Sequence, residues 1–419
     1  MKKQIFSFTI AKKSKWTLNV RYGSIHADLT LAPTDTVCVK NEKCEALPLF
    51  DPQHCGWNTH YGLKRIMKAH CWAEGALIPG SVTIKGHRGI VYERGKDFEY
   101  NDNWACVGRL GSGRIGAETP VQISYTFCRA RIDSIVLNAD GSISVLQGKV
   151  HDVMPKIPML KKGMKRLANI YLSRHDDCLR DGMIYPVLRT SFKKRKDLCD
   201  VKKLLPQTMK KIRSGEPLKI LAWGDSVTEC VYLPEKQHWQ TLFYNALRKK
   251  YPAADIRLQS HGWGGRCAKT FLDEGADSPH NFGKYIENAD ADLIVSEFVN
   301  DAGLPQEAIK NSYNEVLKRL RAAGKEWLIL TPHTILPSWM GTDWDDAHHR
   351  SDDPRFFVQF LRKFAEENGI ALADGSAKYA ELSELGIPYM SVMTNGINHP
   401  DLRGMKVFCK ALIELFPAL

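Results

Sequence analysis

Leu218-Lys219-Ile220-Leu221-Ala222-Trp223-Gly224-Asp225-Ser226-Val227-Thr228-Glu229 joins an apolar run of strand character to a Gly-Asp-Ser turn. A buried strand ending there puts Ser226 at the carboxyl edge of a sheet, the side on which open α/β folds bind their ligands. A serine so placed is a nucleophile when a base lies within hydrogen-bond reach and backbone N–H groups face the developing oxyanion. The competing explanation is that Asp225 or Ser226 merely caps a helix, and the tripeptide alone does not separate the two.

Three further segments bear on the choice. His261-Gly262-Trp263-Gly264-Gly265-Arg266 follows the next strand pattern and offers a backbone flexible enough to turn an N–H toward a substrate oxygen. Asn300-Asp301 follows Leu293–Phe298 and supplies an amide donor at the same sheet edge. Asn395-Gly396-Ile397-Asn398-His399-Pro400 puts a histidine on a loop just before the last helix. Four polar elements from four strand ends or loops are expected to converge on one crevice, which is what an acyl-transfer site needs.

On these residues the segment from about 217 to 419 resembles the SGNH (GDSL-type) hydrolase family, whose four blocks contribute Ser, Gly, Asn and His in that order. Here they map to Ser226, Gly265, Asn300 and His399. Gly264-Gly265-Arg266-Cys267-Ala268-Lys269-Thr270-Phe271 is similar to the second block of rhamnogalacturonan acetylesterases. The resemblance implies a three-layer α/β/α fold, no metal or organic cofactor, and ester hydrolysis. Its commonest form is deacetylation of carbohydrates, with lipid or thioester cleavage in some members. It also implies Ser226 as nucleophile, His399 as base, and an oxyanion hole of the Ser226 and Gly265 N–H groups with the Asn300 side chain.

Two departures stand out. Phe298-Val299 precede Asn300 where the family's third block usually reads Gly-x-Asn-Asp. The aspartate usually found three residues before the histidine is replaced by Gly396. Asn395 through its amide oxygen, a backbone carbonyl, or a carboxylate from elsewhere such as Asp374 are the groups left to orient His399. The substrate expected is an acylated carbohydrate or another small ester. Trp263, together with Trp339 and Trp344 in the insertion Pro332 to Asp353, is a candidate surface for stacking on a sugar; a lid without substrate contact is the bland reading of that insertion. His348-His349 beside Asp343, Asp345 and Asp346 lacks the spacing of a metal site, so no metal is expected.

These residues need elements to hold them. From about residue 200, apolar strand patterns alternate with helical ones: a helix over 201–212 ended by Gly215, helices near 237–249, 306–322, 354–367 and 401–415, and strands between them. That rhythm predicts a parallel sheet covered by helices on both faces. Before about 190 the pattern is β, with runs such as Trp16–Val20, Ser81–Ile84, Val121–Phe127 and Ile132–Leu137, and it predicts a β-sandwich with or without a smaller β-subdomain. The expected organisation is a β-rich domain at 1–190, a basic linker and connecting helix at 191–216, and the hydrolase-like domain at 217–419. Gly111-Ser112-Gly113-Arg114-Ile115-Gly116 matches a dinucleotide-binding pattern, but a strand pattern follows it where a helix should begin, so it reads as a turn.

The 419 residues carry a net charge of +12, and residues 151–219 hold eighteen Lys/Arg against seven Asp/Glu. That concentration marks a domain junction rather than a nucleic-acid footprint, because it lacks interleaved aromatics. Eleven cysteines without paired spacing suggest free thiols. The N-terminal Ile5–Ala11 run is too short and interrupted for a signal peptide, and no apolar stretch is long enough to span a bilayer. A cytoplasmic protein is expected, or a secreted or periplasmic one if a signal was removed. Functions of other classes are a general lipid or acyl esterase, a catalytically silent binding protein of this fold, and a nucleic-acid binder.

Overall fold

In the computed structural model, which describes residues 8–68, 71–173, 176–192, 199–341 and 353–418, the alternating pattern of the C-terminal half becomes five parallel strands. They are β1 (Leu218–Gly224), β2 (Ile256–Gly262), β3 (Leu293–Glu297), β4 (Glu326–Leu330) and β5 (Ala371–Ala373), in the order β2-β1-β3-β4-β5. Each buries nearly continuous aliphatic residues, as strands covered on both faces must. Gly224, at the end of β1, pairs with Gly262 of β2 and Glu297 of β3, so three strands finish at one level.

Helices cover both faces. Leu221, Trp223, Ile294, Trp327 and Ile329 point to the face packed by α4 (Gln306–Ala322) and α5 (Phe356–Asn368). Those helices contribute Ile309, Tyr313, Val316 and Leu320, and Phe357, Leu361 and Phe364, in the three- and four-residue steps of an amphipathic helix. The rings of Phe271, Phe282 and Phe298 meet Trp223 edge-on at 4.8–5.6 Å. On the opposite face α3 (Trp239–Lys250) packs on β2 and on α6 (Leu402–Ile413). The architecture is a three-layer α/β/α sandwich.

The expected single helix over 201–212 is two. One turn, Val201–Leu204, is separated from α1 (Pro206–Ser214) at Leu205, because Pro206 lacks an N–H and forces the preceding residue out of the helical region. Gly215 ends α1 in the left-handed conformation, φ +76°, with its N–H on Lys211 C=O. The segment is no free linker. Met209 and Ile212 are buried, the Glu326 carboxylate accepts the Gln207 and Thr208 N–H groups, and Lys211 pairs with Asp292 at 2.7 Å.

The chain divides into two units, residues 1–190 with 383–397, and residues 191–382 with 398–419. Residues 383–397, placed with the C-terminal domain by sequence, cluster with the β-rich unit. That unit is antiparallel and has two cores. Strands Thr36–Cys44, Thr83–Lys85, Val91–Tyr92 and Val121–Cys128 form one sheet, and Tyr61–Gly62, Phe98–Asn101 and Cys106–Arg109 another. Ile84, Phe98, Tyr100, Val107, Tyr125 and Phe127 fill one core with residues of both sheets. The second core joins the sheet of Phe8–Lys12, Thr17–Tyr22 and Ile25–Thr30 to that of Ala130–Leu137, Ile143–Leu146, Lys165–Ser173 and Ile184–Pro186, through Leu18, Val20, Ile135, Leu167 and Ile170.

Gly111–Gly116 is a turn. A Cβ on Gly113 would lie 2.5 Å from Asp97 Cα, and the Arg114 guanidinium clamps the buried Asp97, holding its carboxyl well below the usual range. All eleven cysteines are free thiols, and no described helix is long and apolar enough to cross a membrane.

Candidate active site

Ser226 opens a one-turn helix, α2 (Ser226–Glu229), and its Oγ lies 3.1 Å from His399 Nε2. Asp225 fixes the turn. One carboxylate oxygen accepts the Val227 N–H at 3.0 Å, capping α2, while the other accepts the N–H groups of Val299 and Asn300 at 2.7 and 2.9 Å. The aspartate therefore bolts the serine turn to the loop after β3. It is fully buried, and burial raises its carboxyl to about 6 although three N–H donors pull the other way.

Glycines let the strand ends approach. A Cβ on Gly224 would meet Glu297 O and Thr228 Oγ1 at 2.2 Å, and one on Gly262 would meet Glu229 N at 2.1 Å. Gly262→Ala is expected to push α2 off β2, lowering the urea midpoint by the equivalent of roughly 1–3 kcal/mol. Equilibrium unfolding checks this, with loss of Ser226 reactivity as its companion. Beyond β2, the Gly264 N–H donates to the Glu229 carboxylate at 2.8 Å, beside Ser226. Gly265 is left-handed, φ +72°, and a Cβ built there faces open space.

Asn300 and Asp301 reach back to that loop. The Asn300 amide donates to Arg266 C=O at 3.0 Å, and Asp301 accepts the Ala268 N–H and the Tyr313 hydroxyl, each at 2.9 Å. Burial raises the Asp301 carboxyl to about 7. An unfolded chain loses this proton near pH 4 and the folded one near pH 7, so ionisation disfavours folding as pH rises between them. Over about three pH units the penalty amounts to roughly 4 kcal/mol. Asp301→Asn removes it, and urea unfolding at pH 4.5 and 7.5 is expected to show a fall in stability smaller by several kcal/mol than in the wild type.

Tyr232, which no sequence pattern marked, lies parallel to the His399 ring at 4.4 Å. Its signal was only proximity to the Ser226 turn. His333, fully buried, donates from Nε2 to the C=O of Asn398 at 2.7 Å, next to His399. Burial and the Arg355 guanidinium lower it to about 3, so it is neutral.

The other sequence candidates have partners of their own. Asn395 belongs to the β-rich unit, where its Nδ2 donates to Cys71 Sγ and its Oδ1 accepts the Ile397 N–H. Asp374 accepts from Arg362, Thr331 Oγ1 and the Ala377 N–H at the foot of the following helix. Trp263 stacks on His280 at 4.0 Å with the Arg266 guanidinium over its ring, so its π surface is engaged by the protein itself. Trp339 is about one-third exposed in the turn Pro337–Met340. Trp344, Asp343, Asp345, Asp346, His348 and His349 lie outside the described residues.

Among the described residues one group has metal-ligand types close together: Cys55, His60 and Cys106, within 4.8 Å. His60 Nε2 accepts the Asp51 N–H at 2.8 Å, which puts the proton on Nδ1 beside Thr59 Oγ1. Neither nitrogen then has a lone pair for an ion, and the residues do not fit a metal.

No protein-family profile matches this sequence, and no curated protein does. Among solved structures it is similar to a two-domain esterase active on acetylated mannans, at 15% identity and a TM-score of 0.42. That match covers 53% of this chain and 55% of the esterase, so the similarity spans about half the length of either protein. A catalytic mutant of Axe2, an acetylxylan esterase from Geobacillus stearothermophilus, matches at 15% identity and a TM-score of 0.39, covering 48% of this chain and 96% of that one. A member of the lipolytic protein G-D-S-L family from Veillonella parvula matches at 19% identity and 0.36, covering 48% and 100%.

Proposed function

We propose that this chain is a serine esterase that removes acyl groups, acetyl above all, from a carbohydrate. The observation that carries the reading is the 3.1 Å approach of Ser226 Oγ to His399 Nε2 at the carboxyl end of a parallel sheet. His399 takes the Ser226 proton as Oγ attacks the ester carbonyl. The Ser226 and Gly265 N–H groups and the Asn300 amide hold the tetrahedral oxyanion. His399 then passes its proton to the departing sugar oxygen, and water, deprotonated by the same imidazole, releases the acid from Ser226 and restores the enzyme.

Support for a polyhydroxylated leaving group comes from a groove of about 610 Å³ at the end of β2, lined by Glu229, Glu235, His238, Gln259, His261 and His280 among others. Gln240 Oε1, His261 Nε2 and His280 Nδ1 are buried there without partners among the described residues, and sugar hydroxyls satisfy such atoms. A long acyl chain wants a continuous apolar lining instead.

Fluorophosphonate labelling of Ser226 and turnover of p-nitrophenyl acetate test the chemistry. For the substrate, kcat/KM on an acetylated oligosaccharide is expected to exceed that on p-nitrophenyl octanoate. A preference for acyl chains of eight carbons or more would reassign the protein as a lipid or general acyl esterase.

A further inference from the structure

Four buried side chains of the C-terminal unit have polar atoms without partners among the described residues. Glu297 ends β3, is 1% exposed, and has no partner for either carboxyl oxygen among the described residues. Arg355 is fixed by Asp353, which accepts from Nε at 2.9 Å, and by His333 C=O, which accepts from Nη2 at 2.7 Å; among the described residues its Nη1 has no partner. His333 spends Nε2 on Asn398, and among the described residues its Nδ1 lone pair meets no donor. The Tyr379 hydroxyl, on the helix Gly375–Glu384, likewise has no partner among the described residues.

These groups share one neighbourhood. Burial first, and the Asp225 carboxylate next, push the Glu297 carboxyl well above its ordinary range, with the Arg355 guanidinium pulling the other way; burial, then Asp401 and Glu297, raise the Tyr379 hydroxyl, and Arg355 bonds His333 C=O directly. The His333 and Tyr379 rings are 5.5 Å apart. Isolated buried polar atoms are uncommon in native proteins, and five together imply a common ligand. Arg355 Nη1 and Tyr379 Oη are donors, whereas His333 Nδ1 and the Glu297 carboxyl offer acceptors. A cation is repelled by the guanidinium, and an ion that only accepts leaves His333 Nδ1 unserved. Water, with two protons and two lone pairs, matches both sets, and it serves Glu297 with or without a proton.

We propose that Glu297, His333, Arg355 and Tyr379 enclose a buried water site, and that this network positions His399 toward Ser226 through the His333 Nε2–H bond to Asn398 C=O. His333 is then a positioning residue, and the inference rests on the reading of Ser226 and His399 given above.

A crystal structure of the whole chain tests the site directly. Ordered water is expected within about 3.2 Å of at least three of the four groups. A dry cavity, or direct bonds among the four side chains, overturns the proposal whether or not the protein hydrolyses esters. For positioning, H333L is expected to lower kcat on p-nitrophenyl acetate about tenfold or more with KM unchanged, the cost of a misplaced catalytic group. H333Q, which keeps a donor and an acceptor, is expected to recover most of it. No loss in H333L, or an equal loss in H333Q, removes the positioning role. If H333L does not fold, Y379F carries the same readout, with a fall of about threefold expected for one lost hydrogen bond, and an unchanged kcat overturns the role. If the wild type turns over no ester, the proposed function fails by itself. The structure of H333L, or of Y379F in its place, then decides the positioning role, by whether His399 Nε2 has left hydrogen-bond reach of Ser226 Oγ.

Discussion

Ser226→Ala is expected to lower p-nitrophenyl acetate turnover by roughly 10⁴–10⁶-fold, the loss seen when a serine nucleophile acting with a histidine is removed. The fold should be indifferent. The bonds that shape the turn belong to Asp225 and to backbone N–H groups, while the Ser226 hydroxyl faces His399. A thermal midpoint within a few degrees of wild type is therefore expected beside the lost rate. Fluorophosphonate labelling separates the remaining possibilities. A wild-type chain that labels, with an alanine variant that does not, is a competent esterase; an unlabelled wild type is a binding protein on this scaffold. Equal turnover by the two proteins removes Ser226 from the chemistry altogether.

Periodicity carried the sheet and its helices into view because each element is governed by its own residues. The helix predicted at 306–322 and the strand at 293–298 rest on local patterns, and the structure places them at Gln306–Ala322 and Leu293–Glu297. Long-range pairings were not legible. Asp225 looked like a cap, yet two of its three bonds reach residues more than seventy positions away. Glu297 read as one residue of a buried strand, and only the structure brings its carboxyl within electrostatic reach of Asp225, Arg355 and Tyr379. Residues 383–397, read as part of the C-terminal domain, fold with the β-rich unit, and there Asn395 bonds Cys71 Sγ and the Ile397 N–H. Within the basic block, Lys211 pairs with Asp292, Lys219 with Asp290 and Arg189 with Glu384, all distant in sequence.

Asn300→Ala is expected to reduce kcat roughly 10²–10³-fold, the cost of one oxyanion donor, with KM within a few-fold of wild type. In the free protein the amide spends one N–H on Arg266 C=O at 3.0 Å and has a second to offer. A ground-state ester carbonyl asks little of that second donor, whereas the tetrahedral oxyanion carries nearly a full charge, so the bond is made mainly in the transition state and its loss falls on kcat. Removing the bond to Arg266 also costs stability, about 1 kcal/mol, which urea unfolding reads separately from the rate. Asn300→Asp sharpens the distinction. It retains the size of the side chain but turns a lone pair toward both Arg266 C=O and the oxyanion, so its kcat should fall below that of the alanine variant. A loss expressed in KM instead would mean that Asn300 grips the bound substrate. Oxyanion stabilisation would then rest on the Ser226 and Gly265 N–H groups, with Gly265 held in its left-handed conformation to aim one of them.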